Sequence, residues 1–145
     1  MTVYFSDISI GQSASLTRTV SEEDVQLFGK STGDMNPVHF DEAYARKTVF
    51  RGRVAHGALS IGFISAVIGM ELPGPGTIFL SAATRFLAPV RIGDTVVTTC
   101  TVRALGEGRQ VTFDCICKVG EKNVVEGEAL VIAPKTPPLK TEVKS

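Results

Sequence analysis

Between Gly57 and Met70 the sequence offers no polar face. Ala58, Leu59, Ile61, Phe63, Ile64, Ala66, Val67 and Ile68 point in every direction around a helix, and only Gly57, Ser60, Gly62, Ser65 and Gly69 stand among them. A helix that is apolar all round is expected to be buried all round. The small residues let other backbone approach closely, and Leu72-Pro73-Gly74-Pro75-Gly76 stops the helix sharply. The run free of Asp, Glu, Lys and Arg, Val54 to Met70, includes His56 and is short for a bilayer crossing. A buried helix of a soluble domain is therefore expected, and the rest of the chain must supply its cover.

That cover reads as strand and turn. Residues 13–20 alternate, with Ala14, Leu16 and Val20 on one side and hydroxyl residues on the other, which predicts a first strand. After the apolar helix come 77–87, 95–105, 111–119 and 124–133. Val111, Phe113, Cys115, Cys117 and Val119 alternate with Gln110, Thr112, Asp114 and Lys118. Gly106-Glu107-Gly108 and Gly120-Glu121-Lys122-Asn123 are too short to carry a parallel crossover, so an antiparallel meander is expected. An α+β fold follows, a curved antiparallel sheet wrapped around a long central helix. Residues 1–133 read as one domain, and 134–145 as a Pro- and Lys-rich, frayed tail.

Two shorter helices precede the apolar one. Ser21-Glu22-Glu23-Asp24 has a hydroxyl N-cap and a first turn of acids, with Val25, Leu27 and Phe28 as the apolar side and Gly29 to Gly33 as the end. Asp41 to Lys47 runs from acidic to basic, matching a helix dipole. Arg51-Gly52-Arg53 reads as a solvated turn, with contact to a ligand phosphate as the sharper alternative.

Charge and cysteine content exclude several functions. Acidic and basic residues are equal at 15 each, which leaves no electrostatic footprint for nucleic acid or an anionic membrane. The N-terminus Met1-Thr2-Val3-Tyr4-Phe5-Ser6-Asp7 lacks the basic-then-apolar pattern of a secretory signal. Cys100, Cys115 and Cys117 are odd in number, and neither of the two histidines is near them in sequence. Small core residues in a reduced cytoplasm are expected, with no zinc site. No phosphate loop or dinucleotide fingerprint is found.

Two stretches carry chemistry. In Ser31-Thr32-Gly33-Asp34-Met35-Asn36-Pro37-Val38-His39, Pro37 prevents a continuous helix from Asp34 to His39. A Gly33-started, Pro37-bent turn brings a carboxylate and an imidazole to one point, a pairing suited to moving a proton near neutral pH. Asn36 can fix the turn through its side chain. On these residues alone, plain turn chemistry is an equal reading. Ala55-His56-Gly57-Ala58 reads as the bare N-terminus of the apolar helix, where a carbonyl oxygen can be held. His56 reads as a helix-start residue bonding locally.

Taken together, these stretches resemble the MaoC-like family of (R)-specific enoyl-CoA hydratases, with the hotdog architecture. The resemblance runs from about Val20 to Ile132 and includes Leu72 to Gly76, Phe86-Leu87-Ala88-Pro89-Val90 and Gly93-Asp94. It implies reversible syn hydration of a trans-2-enoyl-CoA to an (R)-3-hydroxyacyl-CoA. By position it makes Asp34 and His39 the pair that holds and activates water, and the Gly57 N–H the donor to the thioester oxygen. Asn36, Ala58, Ser60 and Gly62 are then the residues about the substrate. Some relatives carry a hydroxyl residue on the central helix where Gly62 stands here, flanked by Ser60 and Ser65. The resemblance implies no metal and no cofactor beyond the CoA of the substrate, and it implies a homodimer or larger homo-oligomer. Dehydration of a polar or branched 3-hydroxyacyl-CoA is the alternative on the same site. Thioester hydrolysis and acyl-CoA binding without turnover are the further alternatives.

Overall fold

The computed structural model describes residues 1–136. Strands β1 (Ser13–Thr19), β2 (Ile78–Phe86), β3 (Thr95–Gly106), β4 (Gln110–Val119) and β5 (Lys122–Ile132) form one antiparallel five-stranded sheet of order β1-β3-β4-β5-β2. Helices α1 (Glu22–Thr32), α2 (Pro37–Phe40), α3 (Glu42–Arg46) and α4 (Gly57–Met70) lie between β1 and β2 in the chain. The hotdog arrangement expected from sequence is present.

The strands form where alternation favours them. Val96, Thr98, Cys100 and Val102 of β3 and Val111, Phe113, Cys115 and Cys117 of β4 are buried on the concave face. All three cysteines are free thiols, and burial pushes the Cys117 thiol above its ordinary range. On the convex face hydroxyls pair across strands, Ser15 with Thr99 at 2.7 Å and Thr19 with Thr95 at 2.8 Å. The meander reading holds for β3-β4-β5. It fails for β2, which lies at the far edge beside β5 (Phe86 opposite Val125) instead of beside β3. The segment 87–94 carries the chain across, bonded through Leu87 N–H to Val124 and Gly93 N–H to Val20.

α4 departs from expectation in one respect. Ser60, Ile64, Val67 and Ile68 are buried against the sheet, but Ala58, Gly62, Ser65 and Met70 are exposed on the other side. One sheet curls over one side of a helix, so a single copy of this chain cannot bury α4 all round. The frayed tail expected from Pro134 is met differently at its start, since the Pro134 carbonyl accepts from Phe5 N–H at 2.9 Å. Residues 137–145 lie outside the described residues.

α1 starts on a complete capping box. The Ser21 hydroxyl accepts from Asp24 N–H, and the Asp24 carboxylate accepts from Ser21 N–H, both at 3.0 Å. Replacing Ser21 with Ala is expected to cost about 1 kcal/mol, read as a lower urea midpoint at unchanged slope.

Candidate active site

The site is assembled where α1 ends. Gly33 takes the left-handed conformation (φ 83°), which a residue with a side chain enters only at a cost, and this turns the chain out of α1. Asp34 follows in the loop, its Oδ1 accepting from Asn36 N–H at 3.3 Å. Asn36 caps α2 by accepting from Val38 N–H at 3.2 Å, and Pro37 occupies the first helical position, where no N–H is needed. The loop expected up to His39 thus ends early, and His39 sits on a single helical turn. That turn points its ring back toward Asp34.

The ring of His39 is held by a distant carbonyl. Its Nδ1 lies 2.8 Å from Val54 O. A carbonyl only accepts, so Nδ1 carries the hydrogen and the neutral ring keeps a bare Nε2 lone pair. Val54 is itself pinned, its N–H to Val38 O, and the next residue, Ala55, donates to Val90 O at 2.7 Å. Burial pushes the His39 pKa down, aided by the nearby His56 and Arg53, while the Val54 bond and Asp34 oppose the fall.

Behind this lies a brace that the sequence reading left on the surface. Arg53 donates from Nε to the His39 carbonyl at 2.8 Å and makes a two-pronged pair with Glu22 at 2.8 and 2.9 Å. This pair holds the Glu22 carboxyl down at about 2. Arg91 donates to the carbonyls of Phe50, Gly52 and Arg53, strapping the 50–53 turn beneath the site. The solvated reading of Arg51-Gly52-Arg53 is therefore corrected at Arg53. Nothing in the local spacing distinguished it from Arg51.

Gly57 opens α4. His56 is the N-cap residue but makes no side-chain cap bond, so Gly57 N–H is a first-turn amide without an intrahelical acceptor. A Cβ at position 57 would lie 3.1 Å from the Phe86 ring. His56 does not bond locally as the sequence reading had it. Its Nε2 lies 2.9 Å from the Asp34 carbonyl, 22 residues back, and its ring stacks on His39 with centroids 3.9 Å apart.

A cavity of about 450 Å³ lies against these groups. Asn36, His39, His56, Gly57 and Ser60 supply its polar wall, and Val38, Phe50, Val54, Phe86 to Val90 and Val125 its apolar one. Asp34 is exposed at its side, with a carboxylate oxygen within 4.8 Å of nitrogens of His39 and His56. Of the residues expected about the substrate, Asn36 and Ser60 line the cavity. Ala58 and Gly62 do not, and lie on the exposed side of α4 with Ser65. Asp34, His39 and His56 are close enough to share an ion. Each ring already spends one nitrogen on a backbone oxygen, His39 Nδ1 on Val54 O and His56 Nε2 on Asp34 O.

Residues 7–126 match the family model described as MaoC like domain. The chain belongs to the MaoC-like family. It is 55% identical over 132 residues to the (R)-specific enoyl-CoA hydratase of Rhodospirillum rubrum, covering 90% of this chain and 92% of that one. It is 45% identical to the 3-hydroxybutyryl-CoA dehydratase of Methylorubrum extorquens, over 92% of this chain and 85% of the other. Among solved structures, the unliganded R-hydratase PhaJ1 of Pseudomonas aeruginosa superposes with a TM-score of 0.88 at 38% identity, over 95% of this chain and 96% of that one. This MaoC-like chain has no helix among its described residues long and apolar enough to cross a membrane.

Proposed function

We propose that this MaoC-like protein is an (R)-specific enoyl-CoA hydratase, adding water reversibly and syn across the double bond of a trans-2-enoyl-CoA. The observation that carries the reading is the meeting of the Asp34 carboxylate, the bare Nε2 of His39 and the open amide end of α4 beside one cavity. The names borne by its relatives from R. rubrum and M. extorquens describe the two directions of one such reaction, which supports it.

Each residue then has a task. Asp34 and His39 hold one water between them. As the water oxygen bonds to C3, His39 Nε2 takes its proton, and the electron pair moves through C2 onto the thioester oxygen. The Gly57 N–H, backed by the α4 dipole, stabilises that oxygen, a contribution of about 3 kcal/mol for one well-placed donor. C2 then takes a proton back from the same face through the Asp34–His39 pair. Phe86 and the apolar wall exclude bulk water from the enolate. Asn36 fixes the loop, and Ser60 flanks the bound substrate.

The test is to mix the protein with crotonyl-CoA, follow loss of the enoyl absorbance, and offer the product to dehydrogenases specific for each hand. Loss of enoyl with a product taken only by the (R)-specific enzyme is expected. Release of free CoA, or an (S) product, would overturn the reading.

The lowered His39 pKa has a kinetic consequence. A base must be unprotonated, so the acid limb of kcat/KM is expected to fall below the ordinary histidine value of about 6.5. A limb at or above that value would contradict His39 as a buried base. The sign is the same for stability. A depressed folded value favours the fold above the unfolded pKa, and this contribution is lost as pH falls through the folded one.

A homodimer in the cytoplasm completes the proposal. β2 is an edge strand exposed on both faces, with Ile78, Phe79, Leu80 and Phe86 open to solvent beside the exposed small residues of α4. A second copy laid edge to edge would cover both, and would supply the all-round burial the α4 sequence implies. Light scattering is expected to give twice the 15.5 kDa chain mass.

A further inference from the structure

His56 has no task in the scheme above, yet it is 2% exposed and joins the two halves of the site. Its Nε2 lies 2.9 Å from the backbone oxygen of Asp34. Because that oxygen can only accept, the neutral His56 ring carries its hydrogen on Nε2 and leaves Nδ1 bare. Nδ1 is buried, and no described residue offers it a hydrogen bond. The ring is boxed by Phe28 at 4.7 Å, Phe40 at 5.6 Å and His39 at 3.9 Å between centroids. A polar ring packed among aromatic rings at the cavity wall, with one bond crossing to another element, is placed to act as a strut.

We infer that His56 is a positioning residue that locks the Asp34 loop, the His39 ring and the Gly57 amide into one rigid unit. The inference rests on the roles of Asp34 and His39 proposed above. The two histidines are held in opposite tautomers by two carbonyls. Val54 O fixes the hydrogen of His39 on Nδ1, and Asp34 O fixes that of His56 on Nε2. The first leaves a base facing the substrate side. The second ties the main chain of the carboxylate to the residue directly preceding the oxyanion donor. The close, tilted contact with His56 also sets the orientation of the His39 ring. Loosening the strut would let the acid–base pair and the amide drift apart without emptying the cavity.

Two variants separate positioning from bulk. His56→Phe keeps the ring and its packing but has no donor, whereas His56→Gln keeps an N–H donor near the Nε2 position. His56→Phe is expected to lower kcat by about 30-fold with KM within about twofold, and His56→Gln to recover most of the loss. Equal losses in both, or a rise in KM alone, would overturn the strut. The second measurement needs no His56 variant. With only two histidines in the chain, 15N-labelled His39→Asn protein retains a single ring, whose nitrogen shifts report its tautomer. A protonated Nε2 and bare Nδ1 are expected, and the opposite tautomer would refute the bond to Asp34. If Asp34→Asn retains full activity, the catalytic reading has failed. If Asp34→Asn is inactive and His56→Phe is fully active, this inference alone has failed.

Discussion

Asp34→Asn and His39→Asn each lower turnover of an enoyl-CoA by about a hundredfold or more, with the circular dichroism spectrum unchanged. The variants are chosen from the bonds each residue makes. Asn at 34 keeps an oxygen to accept from Asn36 N–H, and Asn at 39 keeps an N–H near the Nδ1 that donates to Val54 O. What each loses is the carboxylate charge or the bare ring nitrogen. The double variant is expected to be scarcely worse than either single one, because two groups handling one proton act as a unit. Rates within a few-fold of the parent in either single variant would remove that residue from the mechanism.

Gly127→Val is the largest expected effect on stability. Gly127 of β5 lies between Thr84 of β2 and Cys115 of β4. A Cβ there would overlap the Ala83 carbonyl oxygen and come within 2.8 Å of Thr84 Cα, so backbone, not a flexible side chain, must yield. Such overpacking costs about 3 kcal/mol, a fall in Tm of roughly 10 °C for a chain of this size. The damage is directed. Displaced β2 carries Phe86, which lines the cavity and would meet a Cβ at position 57, and it forms the edge proposed to pair with a second copy. Loss of the dimer in light scattering is therefore expected along with the lower Tm. A variant with the parent's Tm and mass would contradict the close approach of β2 to β5.

What was legible in the sequence was what neighbouring residues decide. The alternation through Val111, Phe113, Cys115 and Cys117 gave β4 its buried face, and Ser21 with Asp24 marked the start of α1. Pro37 divided Asp34 from His39 as its missing N–H requires, and the motif around it placed the chain in its family. What was not legible depends on partners far along the chain. No local spacing says that Phe86 pairs with Val125, that Arg53 reaches back to Glu22, or that the His56 ring spans 22 residues to Asp34. The all-round apolarity of α4 implies burial on every side, whereas the sheet covers only the Ser60, Ile64, Val67 and Ile68 side.

The central claim is that a carboxylate and an imidazole handle one water from one side of the substrate, against an amide that holds the thioester oxygen. Hydrating crotonyl-CoA in deuterium oxide and reading the product by NMR tests it most directly. The expected product carries a single deuterium at C2, on the same face as the C3 hydroxyl, with the (R) configuration at C3. Deuterium on the opposite face, or scrambled between both, would contradict a pair that delivers and returns the proton from one side.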